Sequence, residues 1–335
     1  MTPAPDLQVL RDVRVFDSAG GSVGPLAQLV IEAGRVAGTL AVGQTVDDAR
    51  VIDGGGRVVL PGLIDAHVHV VAASHDLVGL ALQPPSLVTA QASAIMRGML
   101  HRGFTTVRDA AGADFGWRRH QQPGRPAGRH PVLGRRIARR LRGGRGRQPV
   151  RDGPCLLAAR RHPGGAGGGA VDRTWQADRR GQCPRDEGPR RYLVPTLSTY
   201  VALADEGPHL GWSAEMLDKL ARVQSRGLDA VRIALAEGVP VVFGTDLLGY
   251  MHDRQSGEFD LRLQAMGLVQ ALQSATLVAA RLLRAEADIG HLRPGARADL
   301  LLVDGDPTTS LAMLTAPDTG IRLLMQGGRT VRNSL

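Results

Sequence analysis

The sequence predicts an α/β fold: a (β/α)8 TIM-like barrel, incomplete, with a small β-domain built from both chain ends. Three observations predict it. In 58–70 an apolar run passes through Pro61-Gly62 and ends in His67-Val68-His69; strand side chains alternate faces, so the two imidazoles share one side. Residues 86–102 have helical apolar spacing, and Gly103 leads into the β-branched run Phe104-Thr105-Thr106-Val107-Arg108-Asp109, the βα alternation of a parallel barrel. In 239–246 an apolar strand ends in the carboxylate of Asp246.

The other elements follow in order. Residues 8–10, 27–33 and 57–60 read as short strands, with 34–38 as a hairpin-like connection. In the helix over 86–102, Leu87, Ile95, Met99 and Leu100 form the apolar set. Residues 192–200 read as a strand. Ser213 is placed to cap a helix running through Glu237, with Gly238 after it. Two further helices are expected at 261–273 and 276–284. Strands at 298–303, 321–325 and 329–331, the last two joined by the turn Gln326-Gly327-Gly328, complete the β-domain. The expected domains are therefore 1–60 with 290–335, and 61–289.

The 335 residues are 43% hydrophobic but only 3% aromatic, so the core is expected to be aliphatic. No apolar run reaches the length of a membrane span, the first residues lack a signal-peptide pattern, and Cys155 and Cys183 form no disulfide framework. A cytoplasmic protein is the expectation.

The net charge of +9 is not spread evenly. Residues 117–191 hold 20 Arg against 5 acids, a net of +15, so the rest of the chain carries −6. This segment has 14 Gly and only 8 Leu, Ile and Val together, with no helix or strand period. Such composition predicts irregular chain. Trp175 is the only aromatic inside it besides Trp117, so base-stacking platforms are scarce and a nucleic-acid partner is not expected.

Two histidines on one strand face can grip a divalent metal; a lone strand histidine or a strand-end aspartate is more often packing or a cap, and the pattern alone leaves both readings open. Longer motifs narrow the choice. Residues 61–69, Pro-Gly-Leu-Ile-Asp-Ala-His-Val-His, resemble the first-strand signature of the metal-dependent amidohydrolase superfamily. Residues 103–109 are similar to its second-strand motif, 241–246 to its last strand, and 290–307 to its C-terminal signature. The loop from Gly244 to Phe259 looks like that of the imidazolonepropionase-related branch, which includes prolidase-like and dipeptidase-like members. The resemblance covers about 9–116 and 192–333.

The resemblance implies a barrel beside a small β-sandwich formed by both ends. It implies metal ligation by His67, His69 and Asp246, with Asp246 also taking a proton from the attacking water. It implies a divalent metal and a small amide or peptide substrate. An open three-donor set suits zinc, and Tyr200 and His252 read either as contacts to a substrate carboxylate or as plain loop structure; self-association stays open. It also implies a Lys and two more His ligands. The only Lys is Lys219, inside a predicted helix, while His120, His130 and His162 fall in the Arg-rich segment and His209 in a loop. Eight units of about 31 residues would put the first and last strand ends about 220 apart; His67 and Asp246 are 179 apart.

Three functions compete: an active metal-dependent hydrolase of amide C–N bonds, a catalytically dead or poorly folded remnant of one, and nucleic-acid binding through the Arg-rich segment. The sharp edges of 117–191 suggest text read out of frame, with some deletion. Translating the gene in its other two frames should give a Lys-bearing and a His-bearing strand. Neither frame doing so would end that explanation.

Overall fold

The computed structural model describes residues 7–110 and 191–335. The expected irregular chain at 117–190, with His120, His130, His162, Cys155 and Cys183, lies outside them.

The N-terminal strands are β1 (Leu7–Asp17), β2 (Ser22–Glu32), β3 (Arg35–Leu40), β4 (Arg50–Asp53) and β5 (Val58–Pro61). The C-terminal strands are β8 (Leu300–Val303), β9 (Ile321–Gln326) and β10 (Arg329–Asn333). They join in one mixed sheet of order β10-β9-β8-β5-β1-β2-β3, with β4 paired to β1. The closure is the antiparallel β5–β8 pair, in which Val58 faces Val303 and Leu60 faces Leu301. All eight residues of these two strands are buried, as a strand covered on both faces requires. Val58, Leu60, Leu301 and Val303 enter the core around the His-bearing strand. Val59, Leu300 and Leu302 enter the separate core with Leu10, Leu29 and Ile31. The two hairpin turns of this sheet touch: a Cβ on Gly34 would lie 2.7 Å from the Gly327 carbonyl oxygen, so only glycine fits there.

Gly62 carries the chain from the sheet into β6 (Leu63–Val68), which pairs in parallel with β7 (Phe104–Asp109). A Cβ on Gly62 would lie 2.1 Å from Thr105 Oγ1, so the glycine of the Pro-Gly pair permits this crossing. Between them stand α1 (Leu77–Ala81) and α2 (Pro85–His101). Met99 is buried as expected, but Leu87 is 46% exposed: it lies in the first turn, on the solvent side.

On its other side β6 meets the extended segment 241–246. The Ala66 N–H donates to the Phe243 carbonyl at 2.9 Å, and the Asp246 N–H to the His67 carbonyl at 2.9 Å. That segment in turn bridges Leu193 in parallel to Val241. The described residues thus hold four neighbouring parallel segments, with the last expected strand beside the first.

Two expectations are corrected. The strand at 192–200 ends early: Thr196 turns into the left-handed region at φ 45°, and α3 (Leu197–Glu206) follows. The Glu258 carboxylate accepts the Ser198 N–H at 2.7 Å, filling the orphan donors of that helix start. The helix at 261–273 is two, α5 (Glu258–Leu263) and α6 (Leu268–Ser274), broken at 264–267. Between α3 and α5 in sequence, α4 (Ala214–Ala236) keeps its expected cap, with Ser213 accepting the Met216 N–H. The segment 241–246 leads into a 3-10 helix, Gly249–Gly257, and α7 (Leu277–Leu282) and the short α8 (Ala312–Thr315) and α9 (Pro317–Gly320) complete the described helices. Among them none is long and apolar enough to cross a membrane.

The core is less purely aliphatic than composition suggested. Phe104, Phe243 and Phe259 stack with centroids 5.3 and 4.7 Å apart, and the Arg262 guanidinium sits 5.0 Å over Phe243. Arg262 and Glu258 form a fully buried ion pair at 2.9 Å; Arg262 also donates to the Val242 carbonyl and to Ser274 Oγ. This pair locks α3, α5, α6 and the 241–246 segment together. Arg262→Met leaves Glu258 buried and uncompensated and is expected to destabilise the chain by about 3–5 kcal/mol in urea unfolding. A loss well below about 1 kcal/mol would show that the pair contributes no more than a surface contact.

Candidate metal centre

The site grows from two short motifs. In Asp65-Ala66-His67-Val68-His69 the polar residues recur every second position, so all three share one strand face. In Phe243-Gly244-Thr245-Asp246 each polar position has its own task. Gly244 lets the segment press on β6, since a Cβ there would lie 2.9 Å from His67 Cβ and 2.4 Å from Val194 Cγ1. Thr245 turns to Asp65, and Asp246 turns to the histidines. Asp246 adopts φ 54°, a left-handed conformation that Asp tolerates better than most residues.

Asp246 Oδ1 lies 3.4 Å from His67 Nε2 and 2.9 Å from His69 Nε2. The imidazoles are 5.3 Å apart and nearly perpendicular. One donor atom from each of the three residues falls within 4.8 Å of the other two, the single such group among the described residues. His67 is 6% exposed, and the side chains of Asp246 and His69 18% and 23%, so the cluster has a buried base and an open side. Burial pushes the Asp246 carboxyl up, but the hydrogen bonds and charge of His67 and His69 outweigh it and bring it down to about 2. An ionised carboxylate and two imidazole nitrogens are the donor chemistry of a divalent ion such as zinc with an open coordination position, so these residues fit one.

Asp65 holds the two motifs together. Its Oδ1 accepts the N–H groups of His67 at 3.1 Å and Thr245 at 3.3 Å. Its Oδ2 accepts the Thr245 hydroxyl at 2.7 Å and the Gln255 amide at 2.9 Å. Burial raises its pKa, and these donors oppose the rise. Sequence reading missed this role, although the two-residue period from Asp65 to His67 pointed to it; nothing in the sequence pointed to Gln255.

The remaining candidates sit elsewhere. Tyr200 is half-buried on α3. His252 is 3% exposed on the 3-10 helix, and among the described residues no hydrogen bond of normal geometry reaches its ring nitrogens. Burial pushes its imidazole down to about 4, the Ala72 backbone opposing, so the ring is neutral at pH 7. Lys219 is exposed on α4 and paired with Glu215 at 2.7 Å; it is not at the centre. His209 is exposed on a loop.

A family model described as the amidohydrolase family matches residues 58–118 and 192–331. Similar solved structures include an amidohydrolase at 26% identity and TM-score 0.73, covering 98% of this chain and 100% of that one. A prolidase complexed with N-methylphosphonate-L-proline is 25% identical with TM-score 0.74 and the same coverage. A Xaa-Pro dipeptidase with methionine bound in its active site shares the fold at 19% identity and TM-score 0.69, with 98% and 100% covered. No curated protein sequence matches the chain.

Elemental analysis after zinc loading and desalting should find about one ion per chain, the capacity of one three-donor site, and little in His67→Ala. About two ions per chain, or an unchanged content in His67→Ala, would contradict this centre.

Proposed function

The chain belongs to the amidohydrolase family, by descent hydrolases of C–N bonds, and from that premise we propose that it hydrolyses the amide bond of a dipeptide or N-acyl amino acid at the His67–His69–Asp246 centre. The observation that carries this reading is the convergence of those three donors within 4.8 Å. The prolidase and dipeptidase among the similar structures support the substrate class.

In this reading His67 and His69 present Nε2 atoms, and Asp246 a carboxylate oxygen, to one zinc ion. When bound, the ion supplies Lewis acidity that lowers the pKa of water. Asp246, an ionised carboxylate at neutral pH, is the proton acceptor for the attacking water, and Asp65 fixes its distance from the imidazoles. The buried base of the site limits water to its open side. A small β-rich domain of 1–60 with 290–335, joined at β5–β8, backs a hydrolase domain of 61–289.

We also infer that the interior text is out of frame. The family match stops at 118 and resumes at 192, the edges of the Arg/Gly-rich stretch, and no Lys stands between them, where the family resemblance implies one.

Two substitutions test the roles. His67→Asn removes an imidazole ligand, so excess zinc should restore part of its activity. Asp246→Asn keeps an oxygen ligand but takes no proton near neutral pH; it should lose about 10²–10⁴ in kcat that zinc does not restore. Wild-type kcat in Asp246→Asn would make Asp246 a structural residue and end this assignment.

A further inference from the structure

We propose that Arg102 and Gln255 are positioning residues for the metal centre: Arg102 orients the Gln255 amide, and Gln255 holds the Asp65 carboxylate that fixes both ligand-bearing segments. This rests on the reading of His67, His69 and Asp246 as a metal site.

The geometry is a buried chain of donors and acceptors. Arg102 Nε donates to Gln255 Oε1 at 3.1 Å. Gln255 Nε2 donates to Asp65 Oδ2 at 2.9 Å. Gln255 is 1% exposed and Asp65 fully buried. Chemistry at both ends sets the direction of the amide: a guanidinium only donates and a carboxylate only accepts. Arg102 is held in turn by Asp253 at 3.2 Å, its side chain 12% exposed. Gly98 leaves room for it, since a Cβ there would lie 3.1 Å from Arg102 Nη1.

Without Arg102 the amide has no reason to keep its carbonyl turned away from Asp65. A flipped amide would set two acceptors against each other in a low-dielectric interior, where a mismatched polar contact is costly. Asp65 would then loosen its grip on the His67 and Thr245 backbones, and the spacing of His67 and Asp246 would no longer be fixed. Partners of metal ligands tune affinity in this way without touching the ion. A plain structural role for Arg102, tying the end of α2 to the 3-10 helix, would affect stability and leave the site alone.

The test is the zinc dissociation constant of the full chain, stripped of metal and titrated against a chromophoric chelator, with the melting temperature of the metal-free protein measured alongside. Gln255→Met keeps the size of the side chain and removes the amide; Arg102→Met removes the guanidinium. Each should weaken zinc binding about tenfold or more. The double variant should be no weaker than the singles, because both break one chain. Arg102→Lys should recover most of the loss, since an ammonium still donates to Oε1. If Arg102→Met does not fold, Gln255→Met and Arg102→Lys carry the test. Wild-type zinc affinity in Gln255→Met, or losses that multiply in the double variant, would overturn the proposal. No zinc uptake by the wild-type protein would instead overturn the metal site, and this inference with it.

Discussion

The buried carboxylate of Asp65 is the constraint on which the centre depends. Two segments 180 residues apart meet on it, because its two oxygens accept from His67 and Thr245 backbones, a hydroxyl and an amide. Stranding any of these buried donors would cost about 1–3 kcal/mol each. The donor atoms of His67 and Asp246 therefore need no long side-chain reach to meet: they stand on backbone that is already pinned. The close packing of Gly244 on His67 and the left-handed turn at Asp246 follow from the same contact.

The rest of the described fold supports that contact from two sides. Behind it, β5 and β8 form a wall with one apolar face to the site's core and the other to the core of the terminal strands. The two chain ends are thus part of what keeps β6 in place. Beside it, the Glu258–Arg262 pair caps α3, stacks on Phe243 and reaches the Val242 carbonyl. Its two charges are buried where an apolar pair would pack, and together they satisfy backbone groups of α3 and the 241–246 segment and the Ser274 hydroxyl of α6.

Much of this was legible in the sequence. Period-two spacing of His67 and His69, and the apolar run that ends in Asp246, are local patterns, and the structure brings those three side chains together. The cap at Ser213 and the βα alternation at 86–109 were equally local. What was not legible depended on distant partners. The helix at Leu197 is started by a carboxylate 60 positions away, so local β-propensity over 192–200 pointed the wrong way. Gln255 lies in a loop-like run with no period, and only its contact with Asp65 gives it a role. His252 was read as a candidate substrate contact, and no local pattern marked its burial on the 3-10 helix.

The central claim is that His67, His69 and Asp246 bind one divalent ion as a set. Zinc-edge X-ray absorption on the zinc-loaded protein tests it most directly. The account predicts the scattering of two imidazole rings with oxygen donors, falling to one ring in His69→Asn. A spectrum without imidazole scattering, or one unchanged in that variant, would contradict it.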